Sequence, residues 1–399
     1  MRTVETDALV IGSGFGAAAP ALRLSKAGYQ VALVEKGPRI DPHASFRQTQ
    51  DPKYLLRYLK SLSSKQLGLL FAEGYGGGSG FYEMICLRAP SLIFEKGMWP
   101  AAVDRRALDP YYARAERMLR VQQIPAEDIP RTGLVFARMM KQLGFSCDRA
   151  CYSVHGCMGC GYCVSGCIFA AKQSLPLNYL HEAEENGTTV STGFEAKTIR
   201  YLGSADELAR FGSIRSLPYR YEIECQGPRS EYVKFRARLV ITAAGTVGSA
   251  RLLLRSAREL PRLSRQVGRN LAFNTSAKAC GLLPEGFPEG DMFVGRSHPG
   301  VVSYEFLASH GIMITAAKPL PLQAVASARL RLRGSCPESA YWGKKNVDLM
   351  KEFRRRVIVL AAFGSTPAAG RIRVRDSGKT ELEFRPGEAH RRFHHEAHG

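Results

Sequence analysis

At 399 residues the chain is longer than one ordinary core, so two closely connected domains are expected, and a hydrophobic content of 45% supports a folded body. No apolar run reaches the ~18 residues of a membrane-spanning helix; the longest clean one, residues 357–363, reads as a buried strand, so no transmembrane segment is expected. The net charge of +20 would draw the chain to polyanions, but arginines alternate with apolar residues at 329–333 and 371–375, the period of half-buried strands with a solvated basic face, and no basic and aromatic interleaving marks a base-stacking surface; no nucleic-acid partner is expected, and weak attraction to a membrane surface stays open.

The first element is a strand at residues 8–11, followed by the tight turn Gly12-Ser13-Gly14 and a helix opened by Gly16-Ala17 that runs to about Lys26. A second strand at residues 30–34 ends in Glu35. This strand, turn, helix and strand carry the fingerprint of a dinucleotide site: the helix N-terminus offers unsatisfied amides and about half a positive charge to a pyrophosphate, and the terminal acid accepts hydrogen bonds from a ribose diol. The unit alone leaves FAD and NAD open. Glu5 and Asp7 stand where a secretory signal would carry positive charge, and a cytoplasmic location is expected.

Residues 51–70 read as an amphipathic helix leading to a second glycine cluster, Gly74 to Gly80, built for backbone approach or a sharp bend. Residues 99–119 read as a turn and a helix with Pro110 near its start, and residues 145–177 as an irregular cysteine-rich stretch. A helix to Asn186, a turn at Gly187 and a strand at 189–191 follow. Residues 219–226 and 231–241 form a hairpin about Gly-Pro-Arg, whose second strand continues into a buried strand ending Ala243-Ala244-Gly245; a helix at 249–260 comes next. Beyond residue 284 short strands dominate, ending in a hairpin of 371–375 and 380–385.

Four segments, ALVIGSGFGAAAPALRLSKAGYQVALVEKG, GYGGGSGFYE, GMWPAAVDRRALDPYYARAERML and LVITAAGTVGSARLLLRS, resemble the glucose–methanol–choline (GMC) flavoprotein oxidoreductases, particularly their cholesterol-oxidase-like and bacterial sugar-dehydrogenase branches. The resemblance covers residues 5–280. It implies an α/β fold with a discontinuous Rossmann-like FAD-binding domain, residues 1–144 and 178–283, interrupted by the cysteine-rich loop 145–177 and followed by an antiparallel-sheet substrate module, 284–386, and a tail, 387–399. It implies FAD as cofactor, with Gly12, Gly14, Gly16 and Ala17 at the pyrophosphate, Glu35 at the ribose, Gly77, Gly78 and Ser79 beside the flavin, Ala196 at the adenine, and Ala244 and Gly245 adding bare backbone to the same crevice. The implied reaction is oxidation of a CH–OH group of a sterol, sugar or lipophilic alcohol by hydride transfer to flavin, with an electron-acceptor protein as a further partner.

The family places its catalytic histidine in a C-terminal segment that finds no match in the last residues here, so a truncated chain, inactive alone, is one expectation and a non-catalytic FAD-binding remnant another; a nicotinamide dehydrogenase would need a second mononucleotide half. His390, His394 and His398 share one helix face at a spacing metals accept, against the simpler reading of a frayed, solvated helix end. His298 and His310 read as ordinary histidines, and Glu305 is a weak catalytic candidate against the simpler reading of a strand-edge glutamate. Cys157, Cys160, Cys163 and Cys167 have the spacing of a ferredoxin-type run, which leaves an iron–sulfur cluster, a structural zinc and no metal as alternatives.

Overall fold

The computed structural model describes residues 2–46, 54, 56–95, 99–204, 213–287, 290–296, 300–317 and 343–398. The chain forms two compact units, one of residues 1–82, 165–272 and 368–387, the other of residues 83–164, 273–367 and 388–399.

The first unit starts with β1 (Arg2–Ile11), α1 (Phe15–Lys26) and β2 (Val31–Glu35). Its sheet runs in the order Thr189–Thr192, β2, β1, Tyr232–Thr242, Tyr221–Gln226, Glu195–Tyr201. The first four strands are mutually parallel, and Tyr221–Gln226 runs antiparallel to its neighbours on both sides. Because β1 lies inside the sheet, residues 6–11 are buried without alternation, as a strand covered on both faces requires. Leu9, Ile11, Val34, Ile223, Phe235 and Leu252 share its core. The helix Gly245–Arg255 begins directly after Tyr232–Thr242, a turn earlier than its apolar periodicity suggests.

In the second unit an antiparallel sheet runs in the order Asn274–Leu282, Val357–Ser365, Ile312–Ala317, Val301–Ser303, Asp148–Arg149. The helix Arg131–Gln142 buries Phe136 and Met140 against Val301 and Ala316. The helix Arg105–Met118 has Asp104 as its cap, with the carboxylate accepting from Ala107 N–H at 2.7 Å.

Several expectations are corrected. Where a helix was expected, residues 59–72 form the hairpin Leu59–Ser63 and Gly68–Ala72; the Ser64 and Leu67 turn bonds close it, so turn chemistry outweighed the amphipathic pattern. The hairpin Gly370–Val374 and Thr380–Phe384 belongs to the first unit, not to an antiparallel module: Leu271 and Gly370 exchange backbone bonds, and Arg255 donates to Gly378 O at 2.9 Å. Two of its arginines are paired across the strands, Arg373 with Glu383 at 2.9 Å and Arg375 with Glu381 at 2.7 Å, above buried Ile372 and Leu382. The arginines of 329–333 lie outside the described residues. The break expected near residue 144 falls at 82 instead, since residues 83–164 pair with strands from beyond residue 273. The tail is not frayed: Glu388–His398 is a helix that buries Phe393 and His390, with Phe393 packed on Ala277, Ile312 and Ala362. No helix among the described residues is long and apolar enough to cross a membrane.

Candidate functional site

Strands that run parallel end on the same side of a sheet, and glycine-ended strands leave a crevice there. β1 ends in Gly12-Ser13-Gly14, where α1 begins with Gly14 as its cap. Ala17 and Ala18 return hydrogen bonds to the Gly14 carbonyl at 2.9 and 3.2 Å, so the amides of Phe15 and Gly16 precede the helix's first internal bonds. Gly12 has φ +99°, and a Cβ there would overlap the Ala243 carbonyl. A Cβ on Gly14 or Gly78, by contrast, would meet almost nothing: both glycines face a cavity of about 630 Å³.

The cavity lies within the first unit. Gly12, Gly14, Gly16, Glu35, Gly77, Gly78, Ala196, Ala244 and Gly245 all line it. Two of the expected residues do not. Ala17 is buried in the helix–sheet packing, and Ser79 braces the glycine loop from behind, its Oγ donating to Gly76 O at 2.7 Å and accepting from Leu175 N–H at 3.1 Å. Lys172, also buried, donates to the carbonyls of Gly80 and Tyr82 at 2.5 and 3.2 Å and fixes the end of that loop.

Glu35 is buried, with Oε2 accepting from Ser13 Oγ at 2.6 Å and Oε1 from Gly37 N–H at 2.7 Å. Gly37 is forced to be glycine because a Cβ would overlap the backbone of Glu73 and Gly74. Burial pushes the Glu35 carboxyl above its ordinary value, only partly offset by the bonds from Ser13 and Gly37. An ionised carboxylate has about four lone-pair positions, so Glu35 keeps room to accept from a ribose hydroxyl.

A cluster not foreseen from the sequence closes the wall. Glu195 accepts from Lys197 at 2.5 Å and Arg251 at 3.0 Å, with Lys36 and Arg255 each at 4.0 Å; Lys36 also pairs with Glu73 at 2.7 Å. Burial works to raise the Glu195 pKa, but the hydrogen bond from Lys197 and the charges of Lys36 and Arg251 outweigh it and hold the carboxyl below the ordinary range. Among its partners only Lys197 is local; Lys36, Arg251 and Arg255 come from distant segments.

The other candidate residues do not converge on this cavity. Glu305 is exposed, its Oε2 accepting from Ser146 N–H and Oγ at 3.1 and 2.7 Å, which keeps its carboxyl below the usual value. His310 bonds Ser309 at 2.8 Å; His298 lies outside the described residues. Among the described residues no group of three or more His, Cys, Asp or Glu side chains is arranged to hold a metal, so neither the histidine face nor Cys157, Cys160, Cys163 and Cys167 forms a ligand set. Ferredoxin spacing works only if the loop wraps a centre; here Cys160 is exposed, Cys163 buried, and the Cys157 sulfur accepts from Gly159 N–H at 3.4 Å and bonds Arg296.

The GMC oxidoreductase family model matches residues 6–275 of this chain. The chain belongs to the GMC oxidoreductases. Members of the family bind FAD and act on CH–OH donors. The chain is 28% identical to a cholesterol oxidase of Acinetobacter baumannii over 69% of its own length and 55% of that protein's. It is 30% identical to an uncharacterised GMC-type oxidoreductase of Mycobacterium tuberculosis, over 79% of its length and 48% of the relative's. A long-chain-alcohol oxidase of Arabidopsis thaliana is 23% identical over 74% of this chain and 40% of its own. The chain thus spans about half the length of these relatives.

Proposed function

We propose that the chain binds FAD in a Rossmann-like site in its first unit and takes part in oxidising a CH–OH group of a lipophilic alcohol, a sterol or long-chain alcohol before a sugar. One observation carries the reading: the glycine turn, Glu35, the second glycine loop and Ala244-Gly245, which are far apart in sequence, line a single cavity of about 630 Å³, within the roughly 300–1,000 Å³ of small-molecule sites. The amides opening α1 would face the pyrophosphate, Glu35 would accept from the ribose, and Gly77 and Gly78 would let the isoalloxazine lie against main chain. Bound FAD supplies the acceptor for the hydride. The choice of a lipophilic alcohol rests on the cholesterol and long-chain-alcohol oxidases among the relatives. Free thiols at all nine described cysteines suit the cytoplasm.

A second reading, a flavin-binding protein without this chemistry, draws on the cavity lining, where no described residue is a histidine and the acids Glu35, Glu73 and Glu195 are held in hydrogen bonds or ion pairs. The test of both is anaerobic titration of the purified, FAD-loaded protein with cholesterol and with a long-chain alcohol. Loss of the oxidised flavin absorbance supports the first reading; stable flavin that neither alcohol reduces supports the second. A chain that takes up no FAD eliminates both.

A further inference from the structure

The strand Cys151–Ser153 of the second unit has a neighbour on each side. Val121–Gln123 pairs with it on one; on the other Ile85 pairs with Tyr152, while Cys86 N–H donates to Cys151 O and Ser153 N–H to Met84 O, each at 2.9 Å. This antiparallel register sets Cys86 directly opposite Cys151. Opposed residues project their side chains from the same face with Cα atoms about 4.5–5.5 Å apart, and a disulfide needs a Cα separation of about 4.4–6.8 Å, so the two sulfurs can be joined without moving the backbone. Among the described residues no other two cysteines face each other across paired strands. Both thiols are free and half-buried, within reach of a small oxidant, and neither lines the nucleotide cavity.

We propose that Cys86 and Cys151 form a reversible dithiol–disulfide site, oxidised by a peroxide and restored by a small thiol. The step balances with hydrogen peroxide as oxidant. Cys151 Sγ attacks one oxygen, the O–O bond breaks, and a sulfenic acid and one water result; Cys86 Sγ then attacks that sulfur, the S–O bond breaks and a second water leaves. The two sulfurs lose the two electrons that the peroxide gains. The surroundings set the order of attack. Burial, and then the neighbouring thiol, pushes Cys86 up to about 11. Burial and Glu116 also raise Cys151, but the charge of Arg88, held between Glu116 and Asp109, works against the rise. Cys151 is therefore the first nucleophile and Cys86 the resolving one. A cross-link made only under peroxide is compatible with thiols otherwise kept reduced.

The experiment is exposure of the full chain to hydrogen peroxide, alkylation of the remaining thiols, and digestion without reductant followed by mass spectrometry. The wild type should yield one peptide pair joined through Cys86 and Cys151, lighter by two hydrogens than its parts, which dithiothreitol returns to two free thiols. In Cys86→Ala, Cys151 should go on to sulfinic acid for want of a resolving thiol; in Cys151→Ala, Cys86 should stay reduced. The proposal is overturned if both wild-type cysteines are alkylated at a peroxide dose that oxidises exposed Cys160, if Cys151 of the wild type is recovered as sulfinic acid, or if either is joined to another cysteine instead. Where the variants do not fold, the wild-type peptide map decides alone.

Discussion

Glu35 shows how a buried acid can be a cost without its ligand and an asset with it. Burial raises its pKa in the folded protein, so between the ordinary carboxylate value and that raised value the native state holds more protons than the unfolded one, and stability falls as pH rises through the window. A ribose diol donating to the carboxylate favours the ionised form and reverses the preference. ADP affinity should therefore climb as pH rises through that window, by up to about tenfold per unit. Calorimetric titrations across this range should show the rise in the wild type and a flat, weaker profile in Glu35→Gln; equal slopes in both would remove Glu35 from the ribose site. Gly12 is the steric counterpart. With φ +99° and the Ala243 carbonyl in the way of any Cβ, Gly12→Ala should cost about 1–3 kcal/mol in urea unfolding, and nucleotide affinity with it.

Elements were legible where the deciding interactions are local. The turn at Gly12 to Gly14, the helix after it and the strand ending in Glu35 follow one another within a few residues, so periodicity and turn chemistry suffice to place them. The Glu195 cluster was hidden because it joins segments some 160 and 56 positions apart through a bulge, and a one-residue slip in register leaves no trace in composition. The hairpin at 59–72 was misread because its leucines fit either period, with the turn at Ser64 deciding. The C-terminal helix is the clearest case: read as a chain end its histidines are conspicuous, but the residue that anchors it is Phe393, packed among three strands. Phe393→Ala should destabilise the second unit by about 3–5 kcal/mol, while His394→Ala, on an exposed site, should change stability by less than about 0.5 kcal/mol. Equal effects of the two in denaturant unfolding would return the helix to the role of a loose tail.

On the scale of the whole molecule, the two units have separate cores, and the cavity belongs to the first alone. A ligand that binds only the folded form stabilises the unit that holds it by RT ln(1 + [L]/Kd), about 2.7 kcal/mol at a hundred times Kd. ADP, which represents only the adenosine half of the cofactor, should concentrate this gain near its contacts. Hydrogen exchange with saturating ADP should slow in β1, in the first turn of α1, in Glu195–Tyr201 and in Gly245–Arg255. Exchange in the sheet of Asn274–Leu282, Ile312–Ala317 and Val357–Ser365 should stay unchanged, because those strands carry no lining residue. Protection spread evenly over both units would mean that the nucleotide acts through global stability or binds elsewhere, and +20 of net charge gives a nucleotide many weak alternatives. Raising the salt separates the cases: at about 1 M the Debye length falls to about 3 Å, which screens out scattered binding to exposed charges but leaves a site built from backbone amides and a buried carboxylate largely intact. Local protection that survives salt is the pattern the cavity demands.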